Sequence, residues 1–256
     1  MTEVVAVQVS GLTHHGAVRT NNEDGIGWLG WSLRGMSPAV WETDVLVTAP
    51  VTLVVCDGMG GHAAGEEASR LACEMLTTPG YFDHVADAQS AREAVRVLVQ
   101  RTSDSINDLS DRQPYLRGMG CTVAGVVMFP DGSALVFNVG DSRVYCMDGG
   151  YLGQLTVDHR SADTNALTQA LGGGRRVVLE PAFFECRIPG KPGLLLCTDG
   201  LDDYADELDI ERLMAGDSNN ILCELRDLAL SGGGGDNITL ARITAHKRTA
   251  NGEMHG

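Results

Sequence analysis

The tightest constraint on this chain is the stretch Thr52-Leu-Val-Val-Cys-Asp57-Gly58-Met-Gly60-Gly61-His62. Residues 53–56 form a short, continuous, Val-rich apolar run, which reads as a buried strand. Asp57 stands where that strand leaves the core, so its carboxylate is fixed by rigid backbone yet open to a ligand. The glycines that follow let backbone and ligand approach closely. Gly58-x-Gly60-x-x-Ala63 also mimics a dinucleotide fingerprint. That reading requires a second strand with a terminal acid soon after the helix, whereas helical patterning continues here toward Asn107. Alone, the stretch is a strand-to-helix turn with an acidic start. Its meaning comes from other acids placed in the same way.

At 256 residues the chain lies at the upper end of one domain. A single domain over 1–245 is expected, followed by a frayed polar tail at 246–256. Hydrophobic content is 43%, enough for a core, and no apolar run approaches a membrane span. The first ten residues lack the basic and apolar blocks of a signal peptide. The net charge is −15 and the only lysines are Lys191 and Lys247, which argues against a phosphate-backbone binder and so against nucleic acid. Excess acid serves solubility, or it holds metal. The seven cysteines are odd in number and contain no Cys-x-x-Cys, so they read as reduced, mostly buried thiols of a cytoplasmic protein.

Along the chain, Val5, Val7 and Val9 alternate as in a strand, and 13–25 is a polar, Gly-rich loop. All three tryptophans, Trp28, Trp31 and Trp41, lie within 27–50, where a packed hairpin-like connection is favoured over a partner-binding loop. Ala64, Ala68, Leu71, Ala72 and Met75 fall on one helical face, and Ala91, Val95, Leu98 and Val99 begin a second helix reaching Leu109. The period then shortens. Residues 121–129 and 133–139 pair through Pro130-Asp131-Gly132, and 143–147 and 151–155 pair through Asp148-Gly149-Gly150. A short helix is expected at 166–171, strands at 177–179, 183–188 and 193–197, helices at 207–214 and 221–229, and a last strand at 237–243. Antiparallel hairpins with helix pairs between them imply sheet on sheet with helices outside, an α+β class rather than an alternating parallel fold.

Glu23-Asp24, Asp57-Gly58, Asp199-Gly200, Asp236-Asn237 and Asp141 all stand at strand ends beside Gly, Asn or Ser. Scattered carboxylates without His or Cys suit hard, oxygen-seeking cations such as Mg²⁺ or Mn²⁺. Brought together without a cation they would repel one another, and a pair of divalent ions resolves that conflict. Two ions about 3.5–4 Å apart activate a water for in-line displacement on a phosphate ester. Arg19 supplies a guanidinium able to grip two phosphate oxygens.

With these residues in view the chain resembles a known family. Arg19-Thr-Asn-Asn-Glu23-Asp24, Asp57-Gly-Met-Gly-Gly-His62, Gly120-Cys-Thr122, Gly140-Asp-Ser-Arg143, Asp158-His159, Thr198-Asp-Gly-Leu201 and Gly235-Asp-Asn-Ile-Thr239 match, in order, the motifs of the metal-dependent PPM phosphatases. These are the type 2C Ser/Thr protein phosphatases in their bacterial form. The resemblance implies a four-layer α/β/β/α sandwich of two antiparallel sheets flanked by helix pairs, with two or three Mn²⁺ or Mg²⁺ ions between the sheet ends. It implies that Asp57 bridges two ions and that the Gly58 carbonyl ligates one. Asp199 and Asp236 complete the other, and Glu23 and Asp24 act directly or through water. Arg19 would hold the substrate phosphate, and Asp141, Asp199 and Asp203 surround a third, weaker ion. Phosphoserine and phosphothreonine proteins are the implied substrates, a Ser/Thr kinase an implied partner, and a monomer the expected state.

Three departures stand out. Met59 occupies the place where some relatives carry a His thought to act as general acid, and His62 reads as structural. The flap between Asp158-His159 and Leu171-Gly172 shrinks to little more than 160–170, which implies a more open site and a weakened third-ion position. The tryptophan segment is longer than usual and is a candidate docking surface in the flap's stead, with deletion of 30–44 as its test. The rival within the same fold is a non-catalytic phosphoprotein-binding module. Such modules tend to lose the metal acids, which are all present here. No Cys-x₅-Arg occurs for a cysteine nucleophile.

Overall fold

The computed structural model describes residues 4–246 apart from positions 38, 62, 86 and 165. His62, Lys247 and the tail at 247–256 lie outside the described residues. In chain order the strands are β1 (Ala6–His14), β2 (Gly25–Trp28), β3 (Trp31–Arg34), β4 (Trp41–Leu46), β5 (Val51–Cys56), β6 (Gly58–Met59), β7 (Gly120–Cys121), β8 (Val123–Met128), β9 (Ser133–Val139), β10 (Arg143–Asp148), β11 (Tyr151–Gln154), β12 (Leu171–Gly172), β13 (Ala182–Arg187), β14 (Leu194–Cys197) and β15 (Ile238–His246). The α-helices are α1 (Ala63–Leu76), α2 (Ala88–Arg112), α3 (Asp199–Asp202), α4 (Glu207–Met214) and α5 (Ile221–Ser231).

Two six-stranded sheets carry the architecture, in the orders β11-β10-β14-β15-β1-β4 and β13-β9-β8-β5-β2-β3, with a small sheet β12-β7-β6 beside them. The paired strands run antiparallel. β8 is buried along its whole length, as a continuous apolar run in a central strand should be. β4, at a sheet edge, instead alternates half-buried Trp41, Thr43 and Val45 with exposed Glu42, Asp44 and Leu46. α2 starts on a capping box: Asp87 accepts from the Ser90 N–H at 2.8 Å, and the Ser90 hydroxyl accepts from the Asp87 N–H at 3.2 Å.

Three apolar clusters separate four layers. Val7, Val9, Leu53, Val55, Val126, Val136, Leu194 and Ile243 fill the space between the sheets. Ala68, Ala72, Val95 and Val99 of α1 and α2 cover Val54, Val127 and Phe137 of one sheet. Ile210, Met214, Ile221 and Leu225 of α4 and α5 cover Leu195 and Leu240 of the other. This is the α/β/β/α sandwich the motifs implied.

Antiparallel pairing also gathers the acids. The end of one strand lies beside the start of its neighbour, so Gly25 pairs with Cys56 and Cys197 with Leu240. Asp57 after β5, Asp24 before β2, Asp199 after β14 and Asp236 before β15 therefore meet at one rim, although 212 positions separate the first of them from the last. A cavity of about 550 Å³ at Pro50 and Pro130 opens at the opposite rim.

The tryptophan segment is built into the sandwich. Trp28 is buried, and Trp41 packs on Trp28 and Trp31 with ring centroids 6.3 and 5.1 Å away. Because the segment supplies β3 and β4, removing 30–44 would strip an edge strand from each sheet. Two expectations fail. Residues 166–171 form no helix: Arg160 bridges to Leu167, the Thr168 N–H donates to the His159 carbonyl, and Leu171–Gly172 joins the small sheet. Six residues cannot sustain a helix without a packing face, and Gly172, Gly173 and Gly174 all turn at positive φ. Residues 177–179 form no strand. The Gln100 side chain takes over their backbone groups, donating to the Val177 carbonyl and accepting from the Leu179 N–H.

Candidate active site

The rim is held by hydroxyl and amide side chains. The Asp57 carbonyl accepts from the Thr122 N–H at 2.9 Å and its N–H donates to Thr122 Oγ1 at 3.2 Å. Thr122 Oγ1 in turn shares a 2.7 Å hydrogen bond with Ser142 Oγ. The Gly120-Cys-Thr122 and Gly140-Asp-Ser142 motifs thus clamp the backbone of the central acid. On the other sheet, Asn237 Oδ1 accepts from the Glu23 N–H at 2.8 Å while its Nδ2 donates to the His15 and Asn21 carbonyls. Asn22 Nδ2 reaches Thr13 Oγ1 at 2.7 Å, and Thr13 Oγ1 meets Thr239 Oγ1 at 2.6 Å. These side chains pin the loop carrying Arg19, Glu23 and Asp24 to β1 and β15.

Each acid named from the sequence reaches this rim, in a different state. Asp24 is 1% exposed and accepts from Thr198 Oγ1 at 2.7 Å. Burial pushes its carboxyl up to about 7, against the Thr198 and Thr239 hydrogen bonds that lower it. Burial, then Asp24, Asp199, Asp141 and Asp236, raise the half-buried Asp57 well above the carboxylate range. Asp199 opens α3 and is raised to about 6 by burial and by Asp141, Asp203 and Asp236. Asp236 Oδ2 accepts from Arg19 Nη2 at 2.7 Å, and Arg19 Nε reaches the Gly235 carbonyl at 3.4 Å. Asp203 is exposed at the end of α3.

Two glycines bring Asp57, Glu23 and α1 into contact. A Cβ on Gly58 would fall 2.2 Å from the Gly65 carbonyl oxygen and 2.4 Å from that of Glu23. A Cβ on Gly65 would fall 1.9 Å from Glu23 Oε2. Asp57, the Gly58 backbone, Glu23, Asp24, Asp199 and Asp236 thus share one rim, the candidate cradle. Mutually repelling carboxylates, buried at Asp24 and half-buried at Asp57, Asp199 and Asp236, fit a hard divalent cation in their chemistry. In their arrangement, no three His, Cys, Asp or Glu side chains among the described residues stand ready around one point. Arginines lie on the acids instead: Arg19 on Asp236, and Arg160 on Asp141 and Asp199.

Sequence reasoning passed over Arg160 and gave no role to Thr122, Ser142 or Thr198. The hydroxyls were visible within the quoted motifs, and Arg160 as a basic residue directly after Asp158-His159. Those two residues act on structure. Asp158 takes Arg143 on both oxygens at 3.1 Å and again on Oδ2 at 2.6 Å, and His159 Nδ1 accepts from the Gly140 N–H at 3.1 Å.

Two stacked antiparallel sheets with a rim of acids at their ends define an α+β sandwich class, and comparison with known proteins makes it specific. The family model described as protein phosphatase 2C matches residues 40–221, and the chain belongs to that family of serine/threonine protein phosphatases. The serine/threonine phosphatase stp of Listeria monocytogenes is 31% identical over 217 residues, 75% of this chain and 83% of that one. The serine/threonine protein phosphatase PstP of Mycobacterium tuberculosis is 31% identical over 81% of this chain, which spans 42% of PstP's length. Among solved structures, Stp1 of Staphylococcus aureus superposes with a TM-score of 0.73 at 26% identity, covering 94% of this chain and 95% of that one.

Proposed function

We propose that this chain hydrolyses phosphoserine and phosphothreonine in proteins at a two-ion carboxylate site on the acid rim. The observation that carries the reading is the convergence of Asp57 from one sheet with Asp199 and Asp236 from the other. Asp57 and the Gly58 carbonyl would hold one ion, Asp57, Asp199 and Asp236 the second, with Glu23 and Asp24 behind them. When bound, Mn²⁺ or Mg²⁺ supplies an activated water and neutralises charge on the phosphate.

The chain's own residues do the rest. Arg19 has a side chain 54% exposed and rests on Asp236 and the Gly235 carbonyl at 2.7 and 3.4 Å, from which it would turn outward to grip the phosphate of a protein substrate with two parallel N–H donors. Thr122 and Ser142 keep Asp57 in place, and Thr198 keeps Asp24 aimed inward. No protonating side chain is assigned for the leaving group, since Met59 has no proton to give. The remaining parts of the reading are one catalytic domain over 1–245, a cytoplasmic monomer and a cognate Ser/Thr kinase. No helix among the described residues is long and apolar enough to cross a membrane.

Phosphate release from matched phosphothreonine, phosphoserine and phosphotyrosine peptides tests the substrate class. Turnover of the first two with Mn²⁺, abolished by EDTA, is expected. Tight binding of a phosphopeptide without turnover in any metal would instead select the binding-module reading.

A further inference from the structure

Beside the cradle lies an acidic pair that already holds a cation. Arg160 Nε is 2.5 Å from Asp141 Oδ2, and Arg160 Nη2 donates to Asp199 Oδ2 at 3.0 Å. The three side chains are 20%, 5% and 18% exposed, so the group is shielded from solvent. Asp141 is the strongest like charge felt by Asp199. Two shielded carboxylates need a cation between them, and a guanidinium, always charged and carrying a fork of donors, fills that need permanently.

The backbone delivers Arg160 to this place. The His159 N–H donates to the Gly140 carbonyl at 2.9 Å, and the His159 ring accepts from the Gly140 N–H, so residue 160 is set against residue 141. The bridge from Arg160 to Leu167 then closes the short segment behind it. Asp203, the third acid of the group, is exposed, and its N–H is used on the Asp199 carbonyl at 2.9 Å. A hard cation asking for about six oxygens would find both shielded carboxylates engaged by Arg160.

We propose that Arg160 is the resident cation of the Asp141–Asp199 position and takes the place of a third divalent ion, leaving this chain with the two-ion site alone. The inference rests on the two-ion reading above. It also gives the shortened segment a function: the residue that opens it fills the position that an ion would otherwise occupy.

The test counts Mn²⁺ bound per full-length chain after equilibrium dialysis and metal analysis. Wild type binds two ions. Arg160→Met, which keeps an apolar stem and removes the charge, gains a third and weaker one. The gain disappears in the Arg160→Met, Asp141→Asn double variant. Asp141→Asn alone, with Arg160 intact, stays at two, and this decides the matter even if Arg160→Met does not fold. Three ions in wild type, falling to two in Asp141→Asn, overturn the proposal, as does a folded Arg160→Met that stays at two. Fewer than two ions in wild type refute the two-ion reading itself, and the inference with it.

Discussion

Asp24 carries a cost that its neighbours only partly offset. The unfolded carboxyl titrates near 3.8 and the folded one at about 7, with burial as the first cause. Between those values the folded chain holds a proton that the unfolded chain does not. Metal-free stability therefore falls as pH rises through that window, by at most roughly 1.4 kcal/mol per pH unit from this group. His14 and His159, both pushed down by burial, add the opposite slope around and below 6.5. The comparison with Asp24→Asn isolates the acid. In EDTA, wild type should lose stability relative to Asp24→Asn from pH 5 to 8 in urea melts. A constant difference would show that Asp24 ionises normally. At this scale the sequence was most legible for charge. Asp57 announced itself by ending an apolar run, whereas Thr122, Ser142 and Thr198 did not, because a hydroxyl's partner is set by tertiary contact.

At the scale of elements, the approach of α1 to the loop after β5 decides the cradle. Gly65 lets Glu23 Oε2 lie where a Cβ would be, and that Cβ would also fall 2.9 Å from the Gly58 carbonyl carbon. Gly65→Ala should push Glu23 and Gly58 apart and weaken Mn²⁺ binding by about tenfold or more, a shift of about 1.4 kcal/mol. Gly153→Ala, whose nearest neighbour is the Cys146 carbonyl at 3.6 Å, should leave it unchanged. Equal metal affinity in both variants, measured by calorimetric titration, would remove the cradle from the account. Long elements were read well from periodicity: α2 buries Ala91, Val95, Leu98 and Val99 as expected, and α4 runs Glu207–Met214 as expected. The failures at 166–171 and 177–179 share a cause. Both segments are too short for periodicity to separate helix, strand and loop, and both are held by partners distant in sequence, Cys121 through β7 and the Gln100 side chain.

For the whole molecule, the proposed ligands come from both sheets, so bound ions join the two halves of the sandwich. Ions that bind only the folded chain at 100-fold over their dissociation constant add about 2.7 kcal/mol. For a chain of this size that corresponds to a rise in Tm of roughly 5–10 °C on exchanging EDTA for Mn²⁺. An unchanged Tm would mean that the rim holds no folding-linked ion. The four layers were legible because hairpin turns such as Pro130-Asp131-Gly132 mark antiparallel pairing locally. The meeting of Arg160 with Asp141 and Asp199 was not, since it depends on how a short segment closes over the rim.

The central claim is that Asp57 joins two ions that act on phosphate. Its most direct measurement is Mn²⁺-dependent phosphate release from a phosphothreonine peptide by wild type and by Asp57→Asn, with folding of both checked by circular dichroism. The account predicts metal-dependent turnover in wild type, abolished by EDTA, and a loss of at least a thousandfold in the folded variant, on the order of 4 kcal/mol. A folded Asp57→Asn that keeps wild-type turnover would contradict it.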